Sequence, residues 1–126
     1  MASRLLTSVL SLALLSLLIP SALSGNTVSF HVEEGSNNIY FSVSIKYDGG
    51  DITAVELQET NSPYPGVTGW EPMTHNVGTI WRLDPNHPTL PPFSFQITDS
   101  KGKKFVVKDV IPPNWKPNTV YTGTIA

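Results

Sequence analysis

The sequence contains no cysteine among its 126 residues. Disulfides therefore cannot hold the fold, and thiolate zinc sites and cysteine nucleophiles are excluded. A small domain without such cross-links must be stabilised by burying apolar side chains. An excess of basic residues is also missing, since 8 lysines and arginines accompany 10 acids and the net charge is −2. Because both need a concentrated basic face, neither a nucleic acid nor an anionic membrane surface is an expected partner.

Sequence patterns of catalytic and metal sites are missing as well. No serine lies in a Gly-x-Ser-x-Gly motif, and His31, His75 and His87 have no familiar metal-ligand spacing. The histidines are expected to be solvated or in loops. Most acidic residues flank turns or alternate with apolar residues, and none is expected to face the core, where burial would raise its pKa. We therefore expect no catalytic residues, no metal ion and no other cofactor.

The longest apolar run lies at the amino terminus. Met1–Arg4 carries one positive charge, Leu5–Ile19 is almost wholly apolar, and Ala22–Ser24 supplies small residues. This pattern is typical of a secretory signal peptide over residues 1–24, with one domain over residues 25–126. A transmembrane anchor is the alternative, but the run is shorter than the roughly 20 residues that span a bilayer.

Alternation of apolar and polar side chains dominates the rest of the sequence. It is clearest over residues 41–47, FSVSIKY, and it predicts strands with one buried face. About eight such strands, with turn residues roughly every ten positions, predict a β-sandwich. Asp48–Asp51 is expected to close a hairpin between the second and third strands, and Asp99–Gly102 a later one. A strand is also expected around Trp70–Thr74.

Parity along the strands divides the aromatic residues into two groups. Core positions are predicted for Phe30, Phe41, Tyr47, Trp81, Phe93, Phe95 and Phe105. Tyr40 falls on the opposite face, together with Ser42, Ser44 and Lys46. A ring on a polar sheet face can stack on a sugar ring while its polar neighbours bond the sugar's rim. The alternative is an ordinary cross-strand pair on the surface.

Several short segments occur in the order known from one protein family. They are residues 28–37, 43–47, 70–73, 78–84, 92–95 and 110–115. Together they resemble the carboxy-terminal domain of plant β-expansins and the free-standing group 2/3 grass pollen allergens. The resemblance implies an all-β, immunoglobulin-like β-sandwich of two antiparallel four-stranded sheets. It also implies a location in the plant cell wall and binding to cellulose or a matrix glucan. Wall loosening is not implied, because it needs a double-ψ barrel with a His-Phe-Asp motif that these residues do not supply.

The resemblance transfers the polysaccharide site only in part. Family members that bind cellulose carry a row of aromatic residues on one sheet, and Tyr40 matches one of them. Val77 and Ile39 stand where other members have rings. We therefore expect a carbohydrate-binding site of Tyr40, Lys46, Val77 and Arg82 that binds weakly. The alternative is a secreted structural or interaction protein that has lost sugar binding and contacts a protein partner.

Overall fold

The computed structural model describes residues 27–63 and 69–126, so the predicted signal peptide lies outside the described residues. The described part contains nine strands joined by turns and loops. They are β1 (Thr27–Val32), β2 (Phe41–Tyr47), β3 (Ile52–Glu59), β4 (Glu71–Pro72), β5 (Thr74–His75), β6 (Ile80–Leu83), β7 (Phe93–Asp99), β8 (Lys104–Ile111) and β9 (Thr119–Thr124). The predicted all-β class is confirmed. None of the described residues forms a helix of the length and apolarity that crossing a membrane requires.

The strands form two antiparallel sheets, as predicted. The five-stranded sheet has the order β5-β6-β2-β1-β9, and the four-stranded sheet has the order β4-β3-β7-β8. The expectation of four strands in each sheet is wrong, because the single strand predicted around residues 70–74 is two short strands in different sheets. β4 pairs with β3, whereas β5 pairs with β6. Met73 lies buried between them, and the chain crosses from one sheet to the other there.

The predicted hairpin between β2 and β3 is also wrong. β2 pairs with β1 and β6, whereas β3 pairs with β4 and β7. Asp48–Asp51 reverses the chain, but it leads from one sheet into the other. The later turn at Asp99–Gly102 does join paired strands, β7 and β8. Turn residues thus indicate a change of direction, but they do not decide which strands pair.

Aromatic rings from both sheets fill the space between them. Phe30 on β1 stacks on Phe95 on β7 with ring centroids 4.6 Å apart, and Phe41 meets Phe93 edge-on at 5.2 Å. Both are favourable arrangements for aromatic pairs. Trp115, in the loop before β9, packs edge-on against Phe41 with ring centroids 5.3 Å apart. All the aromatic residues predicted for the core are buried except Tyr47, which is half-buried and packs against it.

Candidate functional site

The residues predicted to bind sugar lie on the solvent side of the five-stranded sheet. Because side chains alternate along β2, burial of Val43 and Ile45 turns Ser44 and Lys46 towards solvent. Arg82 on the neighbouring strand β6 has the same orientation, and Tyr40 precedes β2 with the parity of Ser44. We call this surface, defined by Tyr40, Ser44, Lys46 and Arg82, the outer face.

Tyr40 lies at one end of the outer face, directly before β2. A bridge with Asn37 fixes its backbone, because the Asn37 N–H donates to the Tyr40 carbonyl at 2.7 Å. The residue as a whole is half-buried. Within residues 27–63 and 69–126, no aromatic pair includes Tyr40. No second ring of the described residues therefore packs against Tyr40, which is the one aromatic residue among those that define the outer face.

The two basic residues of the outer face lie towards its opposite ends. Arg82 is the cross-strand partner of Ser42, two residues from Tyr40. Its Nε lies 3.2 Å from Asp84 Oδ2, an ion pair without hydrogen-bond geometry, and its side chain is 41% exposed. Lys46 is exposed and follows Tyr40 by six strand residues, or roughly 20 Å. Arg82 and Lys46 can therefore contact the same extended polysaccharide, but not the same sugar unit.

Val77 lies in the tight turn between β5 and β6. Gly78 has a φ of 59° in this turn, a left-handed conformation that glycine adopts without steric cost. The Ile45 N–H donates to the Thr79 carbonyl at 3.0 Å, which places the turn at the Lys46 end of the outer face. Val77 is 66% exposed. It adds apolar area at this end but no ring.

Ser42 differs from the prediction that it faces solvent with Tyr40. It is buried, and its backbone N–H and carbonyl both bond the Ser36 hydroxyl at 3.1 Å. Ser44 does lie near the surface, where its hydroxyl bonds that of Thr79 at 2.6 Å. Of the serines predicted beside Tyr40, only Ser44 can therefore offer a hydroxyl group to a ligand.

A second group of polar side chains, missed by the sequence analysis, lies away from the outer face. We call Glu59, Glu71 and His87 the Glu59 cluster. Glu59 is 1% exposed; its Oε2 accepts a hydrogen bond from His87 Nε2 at 2.8 Å, and its Oε1 accepts one from the Leu90 N–H at 2.7 Å. One carboxylate or imidazole atom from each member lies within 4.8 Å of the others. His87 lies in a loop, as expected, but it is paired with Glu59 rather than solvated.

The expectation that no acidic residue faces the core is wrong for Glu59 and Asp99. Glu59 follows Val55 and Leu57 at alternate positions of β3, so extending the alternation by one step would have predicted an inward side chain. Asp99, 2% exposed, ends β7 in the same way, and its Oδ1 accepts the N–H groups of two residues in the following turn. Asp99 therefore has the turn-capping role expected of it, whereas Glu59 meets two distant segments.

Burial raises the pKa of the Glu71 carboxyl, and so do the neighbouring Glu59 carboxylate and the hydrogen bond to it, while His87 acts in the opposite direction. The protonated Glu71 carboxyl is the form that can donate to Glu59. Cross-strand pairing explains why the two side chains meet. Glu71 on β4 is opposite Leu57, so it shares the inward side of β3 with Glu59.

This raised pKa predicts a pH dependence of stability. Folding favours protonated Glu71, so its contribution is fully present below the ordinary pKa of 4.5 and is lost as pH rises through the higher folded value. We expect the free energy of unfolding of the wild type to fall over this interval relative to Glu71→Gln, whose amide stays a neutral donor. Urea denaturation at a series of pH values, with EDTA present, measures both curves. Parallel curves would contradict the prediction.

Comparison with known proteins confirms the resemblance found in the sequence. The expansin C-terminal domain family profile matches residues 28–112. Expansin-B6 of Oryza sativa subsp. japonica is 46% identical over 110 residues, which cover 85% of this chain and 40% of that protein. Major pollen allergen Cyn d 1 of Cynodon dactylon is 42% identical over 104 residues, which cover 81% of this chain and 40% of that protein. The chain spans about two fifths of the length of these relatives.

Two solved structures of similar fold are those of Clavibacter michiganensis expansin. The apo crystal structure of Clavibacter michiganensis expansin superposes with a TM-score of 0.56 at 25% identity, covering 77% of this chain and 43% of that one. A mutant of the same expansin in complex with cellohexaose gives a TM-score of 0.55 at 24% identity. The second likeness concerns the fold alone.

Proposed function

Because the chain belongs to the family of expansin C-terminal domains, we propose that it is a secreted, non-catalytic domain that binds plant cell-wall polysaccharide weakly. The ligand, cellulose or a matrix glucan, lies along the outer face from Tyr40 past Arg82 towards Lys46 and Val77. One observation carries this proposal: Tyr40 is half-buried directly before β2, Arg82 on the neighbouring strand β6 is partly exposed, and Lys46 is exposed farther along β2. Sugar rings have apolar faces edged by hydroxyl groups, which such a surface complements.

The side chains of the outer face support contact with a polysaccharide rather than its hydrolysis. Glycoside hydrolysis requires two carboxyl groups, about 5–10 Å apart, that flank the scissile bond. Asp84 is paired with Arg82, and Glu33 lies 3.5 Å from His31. Both oxygens of buried Glu59 accept hydrogen bonds, so this carboxylate is held by the protein.

The proposed location follows from the amino-terminal residues. A signal peptide over residues 1–24 directs the chain to secretion, with residues 25–126 as the mature domain. Secretion by a plant cell brings such a domain into contact with wall polysaccharides. This role requires no cofactor.

A single ring limits the affinity that the outer face can reach. An aromatic contact contributes about 0.5–1.5 kcal/mol beyond the area it buries, and Val77 supplies no second ring. The isolated Tyr40 favours a second candidate function, a secreted structural or interaction protein without sugar binding. Exposed Ile39 and Val77, at 56% and 66%, would then contact a protein partner.

Substitution of Tyr40 tests the proposed surface. We expect the wild type to bind insoluble wall polysaccharide weakly in depletion assays, and Tyr40→Ala to lower the affinity by about two- to tenfold, because stacking is lost. Tyr40→Phe is expected to bind like the wild type. Lys46→Ala is expected to weaken binding, whereas Lys104→Ala, an exposed lysine on the four-stranded sheet, provides the matched control.

A variant that is expected to bind more tightly provides a second test of the outer face. Val77→Trp places a ring at the opposite end of the outer face and is expected to raise the affinity by about two- to tenfold. Binding that is unchanged in Tyr40→Ala would place the ligand elsewhere. If neither the wild type nor Val77→Trp binds any polysaccharide of a broad panel, the interaction protein is the better description.

A further inference from the structure

We propose that the Glu59 cluster is a binding site for a divalent transition-metal ion with the ligand preferences of Zn²⁺. Carboxylate oxygen and imidazole nitrogen are both common zinc ligands, and three protein ligands with one water is a familiar zinc arrangement. Glu59, Glu71 and His87 offer such atoms within 4.8 Å of one another. None of them belongs to the outer face, so this site does not depend on polysaccharide binding.

Contacts around the cluster orient two of the three ligands. The Leu90 N–H occupies Glu59 Oε1 at 2.7 Å, which leaves Oε2 directed at the other members. His87 Nδ1 lies 3.1 Å from Asn86 Oδ1, which can accept the Nδ1 proton of the tautomer that binds a metal ion through Nε2. Hydrogen bonds of this kind fix the tautomer and the direction of metal-binding histidines. In the metal-free protein Nε2 donates its proton to Glu59 Oε2, so it must release that proton before its lone pair can bind a metal ion.

The charge around the cluster favours a cation. A cavity of about 450 Å³ lies beside it and is lined by Glu71, Pro72, Leu83, Asp84, Pro85, Asn86 and His87. No lysine or arginine is among these described residues; Arg82 pairs with the lining Asp84 at 3.2 Å, whereas Glu59 and Glu71 have no such cation beside them among the described ion pairs. Neighbouring carboxylates in a partly buried place are costly unless protons or a cation compensate their charge. A dication with two carboxylates and a neutral imidazole leaves no net charge.

Binding of a zinc ion requires only small movements of the ligand atoms. Zinc holds its ligand atoms at about 2.0–2.2 Å, so the atoms of a tetrahedral set lie roughly 3.3–3.6 Å apart. The 2.8 Å contact between His87 Nε2 and Glu59 Oε2 must therefore open by roughly 0.5–0.8 Å, while no separation among the ligand atoms exceeds 4.8 Å. Glu71 lies on an edge strand and His87 lies in a loop, so both can shift while Glu59 stays in place.

Metal binding would connect three separate parts of the chain. Glu59 ends β3, Glu71 begins β4, and His87 lies in the proline-rich connection between β6 and β7. β4 is a two-residue strand whose strand pairing is with β3. An ion bound to all three would hold this edge of the four-stranded sheet closed and raise the thermal stability of the protein.

Titration of the chelator-treated protein with zinc tests the site. At free zinc about 100 times the dissociation constant, we expect the Tm to rise by roughly 10 °C. Magnesium at the same concentration should have no effect, because it prefers six oxygen ligands. We expect His87→Gln and Glu71→Gln to lower the zinc affinity at least about 100-fold, since each removes a direct ligand. His31→Gln and His75→Gln, at the two other histidines, are the matched controls.

Several results would overturn the proposal. These are an unchanged Tm of the wild type at millimolar zinc, an undiminished shift in His87→Gln, or a shift lost in His31→Gln or His75→Gln. If the cluster variants do not fold, anomalous diffraction at the zinc edge locates the ion in the wild type. Density bounded by Glu59, Glu71 and His87 supports the proposal, and density elsewhere refutes it.

Discussion

Phe95→Ala is expected to lower the free energy of unfolding by about 3–5 kcal/mol. Phe95 is fully buried on β7, stacks on Phe30 at 4.6 Å and lies 6.4 Å from Phe41, both on the opposite sheet. Its removal leaves a cavity between the two sheets. With no disulfide to compensate, and with total stabilities of about 5–15 kcal/mol for domains in general, much of the fold's stability would be lost.

Urea denaturation followed by tryptophan fluorescence and far-UV circular dichroism measures the loss. Phe95→Leu should cost less than Phe95→Ala, because the leucine side chain fills much of the cavity. Val120→Ala, at a position 58% exposed on β9, should change stability by no more than about 0.5 kcal/mol. If Phe95→Ala costs no more than Val120→Ala, the two sheets do not pack through this ring.

The position of Phe95 could be predicted because burial of one strand face leaves a period of two in the sequence. The same rule placed Phe30, Phe93 and Trp81 correctly. It also applies to Glu59, whose inward position follows Val55 and Leu57. The prediction failed there because an acidic residue was assumed to lie outside, although a buried carboxylate is stable where hydrogen-bond donors meet it.

Strand pairing could not be predicted, because it depends on contacts between residues far apart in the sequence. Asp48–Asp51 has the composition of a hairpin turn, yet β2 and β3 end in different sheets. The change of sheet at Met73 could not be predicted either, because nothing in the local sequence indicates it. Glu71 and His87 meet Glu59 only through this topology, so their spacing along the chain carries no signal.

For the outer face, the sequence predicted the orientation of most side chains, but their function in binding is untested. Alternation correctly predicted that Lys46 is exposed and that Tyr40 is not part of the core, and Arg82 shares their face. Their role in binding stays a prediction, because it depends on what the surface contacts. Ser42, predicted to share that surface, is buried against the preceding loop.

Glu59→Ala is expected to cost about 2–5 kcal/mol of folding free energy, because two buried or partly buried donors lose their acceptor and each such loss costs about 1–3 kcal/mol. The substitution leaves the Leu90 N–H and His87 Nε2 without their acceptor. Glu59→Gln keeps the shape and one acceptor oxygen, so it should cost less. Glu33→Ala, a partly exposed glutamate beside His31, is the matched control and should cost no more than about 1 kcal/mol.

A double-mutant cycle measures the interaction free energy between Glu59 and His87 apart from their other contacts. In EDTA, we expect Glu59→Ala and His87→Ala to be non-additive by about 0.5–3 kcal/mol, because the second substitution removes the group that the first leaves unpaired. Additive costs would mean that the 2.8 Å contact contributes little to folding. Repeating the cycle with zinc distinguishes two roles for Glu59. A purely structural carboxylate gives the same coupling with and without zinc, whereas a metal ligand adds zinc-dependent stability that is present only when both side chains are intact.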